Sequence, residues 1–489
     1  MRRTLPCAAL LASALLATQA AAQASCPTVL DPVQRPVQGT TLTMAPATYR
    51  IGTTQYTTNV YNGQFVAPTL TMQPGQRFVL SVVNSMRATN VQPDSMIYRT
   101  NFHTHGLVVT PSPDSGDNVT HVSIPKGGGR HAYHFPVPAY HTTGMFWYHP
   151  HPHELTSSQV AGGLSGALMV GSILKYFPQY RGVRERTLLI RDMLFSFKSP
   201  LLLNINGSPC ATLPIAPGER QLWHIGNFAA NSFVNLKLVG ARWTLLALDG
   251  NPLAAPEQVD SLFIPPGSRA EVIVTGPPAG QRVQLIAAPF LTGPSQPTTL
   301  GYLVSTGRAR AEGRTPLPGV LKEVRDTINR LATATNVQRY TFRYSFPQSG
   351  GAAVNDTLYA PNHPPVSIPW GQVQEWTIVN ETAFPHTFHI HQTDFLVTTV
   401  NGRPANEGRL RDNVTIGVHQ VNGKTVGDTV VVRFMFEPIA AGPFVFHCHV
   451  LQHEDEGMMH NVCVYDPRDP DGPRKCNAMF SSASTGHGH

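Results

Sequence analysis

Twelve residues near the C-terminal end, His447-Cys448-His449-Val450-Leu451-Gln452-His453-Glu454-Asp455-Glu456-Gly457-Met458, bring together one thiol, three imidazoles and a thioether. If the approach Phe444-Val445-Phe446-His447-Cys448-His449 is a strand, residues two apart share a face. His447 and His449 then point one way and Cys448 the other. A metal held by Cys448 is therefore wired through its own backbone to whatever the flanking histidines hold. His453 and Met458 lie beyond the strand and can fold back toward Cys448. Two imidazoles, a thiolate and a weak thioether form the ligand set of a blue copper electron-transfer site. A structural zinc site takes four firm Cys or His ligands, and the methionine argues against it.

Such side chains need strands to hold them, and the chain supplies strand signals throughout. It carries 41 glycines and 43 prolines, with short Val/Thr/Phe-rich runs between turns, a pattern of β-sandwiches rather than helices. Self-comparison sharpens this. The stretches Gly75–Asn84, Gly218–Asn227 and Gly371–Asn380 each open on a turn glycine, run through a strand and end on Asn nine residues later. Their starts lie 143 and 153 residues apart, about one sandwich each. The expected fold is all-β, three tandem Greek-key sandwiches at residues 25–172, 186–305 and 341–467. Residues 306–340 form a linker, with Leu321, Val324, Ile328 and Leu331 at the spacing of a short surface helix. Residues 468–489 read as a polar, frayed tail ending in His487-Gly488-His489.

The first and third units share more than the repeat. Phe102-His103-Thr104-His105 matches Phe388-His389-Ile390-His391, and Gly144–His151 matches Gly442–His449. Ten of the 21 histidines fall into four clusters: His103/His105, His149/His151, His386/His389/His391 and His447/His449/His453. One His-x-His pair is weak evidence; four at matching places in duplicated units are strong. With His386 and His453 given to the Cys448 site, eight imidazoles remain, enough for three copper ions with open positions. The middle unit holds one histidine, His224, between residues 173 and 340, and reads as a copper-free spacer.

These motifs resemble the multicopper oxidases, the laccase-like family, over nearly the whole chain beyond residue 24. The resemblance implies cupredoxin-like sandwiches and four copper ions. The type 1 ion would take His386, Cys448, His453 and axial Met458, and the type 2 ion His103 and His389. The type 3 pair would take His105, His149, His151, His391, His447 and His449. It also implies carboxylates that deliver protons, for which Asp114, nine residues past His105, and Glu454 occupy the matching places. His121, His131, His134, His141 and His153 lie outside the pattern and read as surface residues or supports. The chemistry fits the layout. Dioxygen needs four electrons and organic donors give one at a time, so a mononuclear copper on the order of 10 Å from a cluster can collect them.

The implied partners are dioxygen and a small electron donor, a phenol, an aromatic amine or a metal ion. A cuprous-ion oxidase is the enzymatic alternative, although no methionine lies between Met193 and Met435 to form a methionine-rich insertion. A copper-free structural relative predicts eroded ligands, and every ligand position is filled. Copper nitrite reductases share the sandwich but lack the paired His-x-His arrangement.

Arg2 and Arg3, an apolar run from Leu5 to Leu16 and Ala22-Gln23-Ala24 read as a cleaved export signal, which predicts a periplasmic or secreted protein. Removing residues 1–24 lowers the net charge from +7 to +5, with no basic run to recruit nucleic acid and no membrane span; a monomer is expected. Besides Cys448 and Cys7 of the signal, Cys26, Cys210, Cys463 and Cys476 allow three disulfide pairings.

Overall fold

The structure, a computed structural model, describes residues 26–51, 54–89, 91–193, 202–290, 296–308, 321–405 and 407–481. The expected export signal and the histidines of the tail lie outside the described residues. Three β-sandwiches follow one another, each a pair of mixed sheets. Their cores are packed by Phe78, Phe102 and Tyr148 in the first, Trp223 and Trp243 in the second, and Trp376, Phe388 and Phe446 in the third.

The threefold repeat occupies the same place each time. Arg77–Asn84, Arg220–Asn227 and Gln374–Asn380 run parallel to the long opening strand of their sandwich, Thr40–Ile51, Arg184–Met193 and Gln338–Ser345 respectively. Gly75, Gly218 and Gly371 all take positive φ, +83°, +70° and +79°, the conformation in which a side chain clashes and glycine does not. The closing asparagines are buried and each folds the next turn. Asn84, Asn227 and Asn380 accept through Oδ1 from the backbone N–H two residues on, at 3.2, 3.2 and 2.8 Å, the Asx-turn bond.

The lead-in does more than precede the first sandwich. Gln34–Pro36 adds to its sheet beside Thr69–Met72, while Cys26 is disulfide-bonded to Cys210 in the middle sandwich. The linker helix forms at Lys322–Thr333 and buries Ile328 and Leu331 against Leu396. The expected fraying beyond residue 467 is not what residues 472–481 do. Gly472–Ser481 is a helix, held by Cys463–Cys476 and by Cys476 and Phe480, which lie one turn apart on its buried face. No helix among the described residues is long and apolar enough to cross a membrane.

Candidate metal centre

In both terminal sandwiches, strand pairing sets histidine against histidine. Gly144–His149 pairs antiparallel with His103–His105, placing His149 opposite His103. Gly442–Cys448 pairs with His386–Ile390, placing His447 opposite His389. The two sandwiches then face each other. Asp455, on the short helix Leu451–Asp455, accepts from Thr156 N (3.0 Å) and Ser157 N (2.8 Å) across the seam. All eight histidines outside the Cys448 site become buried there.

Their ring nitrogens converge. His151 Nε2 and His391 Nε2 lie 3.1 and 3.2 Å from His447 Nε2. His105 Nδ1 lies 3.2 Å from His449 Nε2. The rings of His103 and His391 stack at 4.0 Å, and those of His105 and His389 at 3.9 Å. Burial, reinforced by the neighbouring imidazoles, holds these histidines below their ordinary pKa, His149 at about 3 and the others well down. For His447, at about 4, burial is the main cause. They are therefore neutral, the state in which imidazole binds metal.

The hydrogen-bond pattern tests whether metal ions fit. His149 Nδ1 donates to Pro150 O (2.8 Å), His389 Nδ1 to Asp412 O (2.8 Å), and His103 Nδ1 sits 3.1 Å from Asp117 Oδ1. The opposite nitrogens, His103 Nε2, His149 Nε2 and His389 Nε2, are buried without hydrogen-bond partners. One nitrogen anchored and the other orphaned and turned inward is how a protein presents ligating histidines. Three sets of histidines, His103/His389/His391, His103/His105/His149 and His151/His391/His447, each bring donor atoms within 4.8 Å of one another. The residues fit metal ions.

On the other face of the Gly442–Cys448 strand, Cys448 Sγ lies 3.6 Å from His386 Nδ1 and 3.8 Å from His453 Nδ1, and the two nitrogens are 3.1 Å apart. His386 Nε2 is held by the Thr382 hydroxyl at 2.8 Å. Burial pushes the Cys448 thiol up to about 12, so its thiolate needs a cation to form near neutral pH. Met458 is buried in the core that contains Cys448. Met459 pairs with His447 and lines a cleft of about 260 Å³ with His151, His153 and Tyr359. Of the two methionines, Met458 is on the Cys448 side.

The two acids expected at the cluster part company. Glu454 is fully buried, with its carboxyl oxygens 3.4 Å from His151 Nδ1 and 3.2 Å from His447 Nδ1. Asp114 is exposed at the tip of a turn closed by Gly116 N to Ser112 O (2.9 Å) and Asp117 N to Thr110 O (2.9 Å). That turn brings Asp117 to His103 instead, where burial raises its carboxyl to about 7. Counting residues from His105 does not reveal the turn, so Asp117 replaces Asp114 as the carboxylate beside the cluster. A signal for it does exist: Asp117-Asn118-Val119-Thr120 recurs as Asp412-Asn413-Val414-Thr415, and Asp412 lies 3.4 Å from His105 Nε2. His121, His131, His134, His141 and His153, near the clusters in sequence, take other partners. His141 Nε2 accepts from Val108 N (3.0 Å), His134 meets Arg77 (2.9 Å), His121 meets Met479 O (3.1 Å), and His131 and His153 pack on Tyr133 and Tyr359.

Three family models described as multicopper oxidase match residues 43–173, 146–307 and 326–468. A multicopper oxidase of Staphylococcus haemolyticus is 25% identical, covering 83% of each chain. A laccase of Bacillus subtilis is 24% identical over 90% of this chain and 97% of its own. The structure of a Campylobacter jejuni multicopper oxidase, described as a metallo-oxidase, superposes with a TM-score of 0.72 at 23% identity, covering 91% and 96% of the two chains. It shares the fold. The matches run through all three sandwiches and both ligand sets, and the chain belongs to the multicopper oxidase family.

Proposed function

We propose that the protein is a laccase-like enzyme, oxidising phenols or aromatic amines one electron at a time and reducing dioxygen to water. His386, Cys448, His453 and Met458 would hold its type 1 copper. His103 and His389 hold the type 2 copper, and His105, His149, His151, His391, His447 and His449 the type 3 pair, four ions in all. Copper bound there would supply the redox chemistry, one-electron oxidation of the donor at the Cys448 site and reduction of dioxygen among the histidines.

The protein's own residues arrange the rest. His447 and His449 flank Cys448 at the end of the Gly442–Cys448 strand, so the backbone joins the two ligand sets. Glu454 sits between His151 and His447, where burial keeps its carboxyl protonated well above the ordinary range. It holds a proton at the place where reduced oxygen needs one, the role of a general acid. The cleft lined by Arg99, His153 and Tyr359 reaches His151 from outside and gives small molecules a way in.

The donor class rests on one observation, the rim of the Cys448 site. Phe346 and Phe384 are 41% and 57% exposed, and the Phe346 ring lies 5.3 Å from His453, 5.6 Å from His386 and 6.2 Å from Phe384. A flat aromatic donor can stack on these rings beside His453, the partly exposed ligand. A cuprous ion would look for soft sulfur. Among the described residues the one exposed methionine is Met479, on the C-terminal helix. Steady-state rates of the copper-loaded protein on 2,6-dimethoxyphenol and on cuprous ion, side by side, test the assignment; a strong preference for cuprous ion overturns it. The same reading has the mature protein exported to the periplasm or secreted. The two disulfides support an oxidising compartment, and cell fractionation with N-terminal sequencing tests it.

A further inference from the structure

Among the described residues the middle sandwich supplies no side chain to either set of candidate ligands, yet one of its side chains lies where all three sandwiches meet. Arg269 is fully buried. Its Nε donates to Met145 O of the first sandwich (3.2 Å), and its Nη1 to Gly267 O of its own loop (3.2 Å). Toward the third sandwich its Nη1 donates to Asp412 Oδ1 (2.9 Å), and its Nη2 lies 2.9 Å from Oδ2 as an ion pair. Burial works against a charge here, but Asp412 and Asp249 opposite outweigh it, and the guanidinium is held above its ordinary pKa. Asp249 also accepts from Arg269 N (2.8 Å), fixing the backbone that carries it.

Asp412 in turn controls two histidines. Its carboxylate lies 3.4 Å from His105 Nε2, its carbonyl accepts from His389 Nδ1, and its neighbour Asn413 places Nδ2 3.1 Å from His105 Nε2. With Nε2 occupied, His105 turns Nδ1 toward His449, the reverse of His103, His149 and His389, which turn Nε2 inward. The space around the ion pair is closed. A side chain at Gly106, next to His105, would place Cβ 2.5 Å from both Arg269 Nη2 and Asp412 Oδ2, and one at Gly267 would meet the His449 ring at 2.9 Å. The repeated carboxylate, Asp117, has no such clamp; it rests on Thr104 N and the Thr104 hydroxyl, at 3.2 and 2.7 Å. The clamp singles out one of two related carboxylates, the one that sets the reversed histidine.

We infer that Arg269 is a positioning residue of the histidine cluster, supplied by the middle sandwich, which sets the ring of His105 and the anchor of His389 through its hydrogen bond and ion pair with Asp412. The inference rests on the copper assignment above. Supporting contacts of ligating histidines are typically worth about 10- to 100-fold in metal affinity. Arg269→Met and Asp412→Asn should therefore release cluster copper to EDTA about 10- to 100-fold more readily and alter the type 2 EPR spectrum. The blue absorption per chain should stay at the parent level, because the Cys448 site makes no contact with this pair. Arg269→Lys, which keeps the charge and loses the fork, should fall between parent and Arg269→Met.

Variants with the parent's EDTA resistance and EPR spectrum overturn the inference. So does a parallel loss of blue absorption and cluster copper, which marks general destabilisation. If Arg269→Met does not fold, the near-isosteric Asp412→Asn decides by the same readouts. A parent with the blue band but no cluster copper refutes the copper assignment itself, and is told apart by measuring the parent first.

Discussion

The first and third sandwiches and the middle one are built from the same repeat, down to the glycine in the left-handed turn and the asparagine that folds the next one. What they place at their seams differs. The terminal pair meet through histidines whose free nitrogens point inward. The middle one meets them through Arg269, Gly267 and the loop at Ala230, whose carbonyl accepts from Leu451 N at 2.9 Å. Its one histidine is used in the opposite sense. His224 is sandwiched between Glu271 Oε1 at 2.6 Å and Glu185 Oε2 at 3.0 Å. Burial opposes its charge, but the two carboxylates prevail and raise it to about 9. Histidines crowded by histidines stay neutral and free to bind metal; a histidine flanked by acids stays charged and binds them. Residue type does not decide the role here; the neighbours do.

The sharpest way to break that contrast is at Cys448. Cys448→Ser should abolish the blue absorption and donor oxidation together while leaving the cluster copper, counted by metal analysis, in place. A variant that is still blue would move the type 1 site elsewhere. Glu454→Gln comes next. Turnover should fall by about tenfold or more, toward the roughly 10²–10⁴-fold that general acids contribute, with copper content and anaerobic reduction by donor near normal. Reoxidation by oxygen at the parent's rate would assign the proton path to another group, with Asp117 nearest.

At the donor rim the effect should be smaller. Phe346→Ala with Phe384→Ala should raise KM for 2,6-dimethoxyphenol by about 2- to 10-fold, the value of one or two aromatic contacts, and leave cuprous-ion oxidation unchanged. An equal loss on both donors would mean that the rings only shape the site. The middle sandwich should answer in stability rather than turnover. Because the folded pKa of His224 lies above its unfolded value, its contribution is complete below about pH 6.5 and is lost as pH rises through about 9. Across that window stability should fall by up to about 1.4 kcal/mol per pH unit. His224→Gln should flatten this slope in thermal unfolding while copper content holds; an unchanged slope would place the titrating group elsewhere.

The histidine pairs were legible because each is local, two residues apart on or just past the end of one strand, and because duplication repeats them. The sandwiches were legible through the same repeat, whose glycine and asparagine do fixed backbone jobs. Asp117 was not, because a turn rather than a spacing brings it to His103. The Asp-Asn-Val-Thr repeat would have pointed to it and to Asp412 together. Arg269 leaves no local trace, since its partner lies 143 residues away and its value depends on how three sandwiches dock. The disulfides were undetermined for the same reason: four thiols say nothing of which strands lie side by side. The C-terminal helix was hidden by its polar surface, with only Cys476 and Phe480 marking the side that packs.

The seam has a consequence in time. His105 and His449 end 3.2 Å apart but are separated by 344 residues, and at about 5–20 residues per second a ribosome needs on the order of 20–70 s to cover that distance. The ligands proposed for the Cys448 site all come from the last sandwich, within residues 386–458, so that site would be complete once the unit folds. The cluster waits for the two ends of the chain to dock. Maturation is thus ordered by geometry: a chain stopped before residue 447 lacks Cys448 and carries six of the eight cluster histidines, and a finished chain with undocked sandwiches should be able to bind a metal beside Cys448 before it can at the seam.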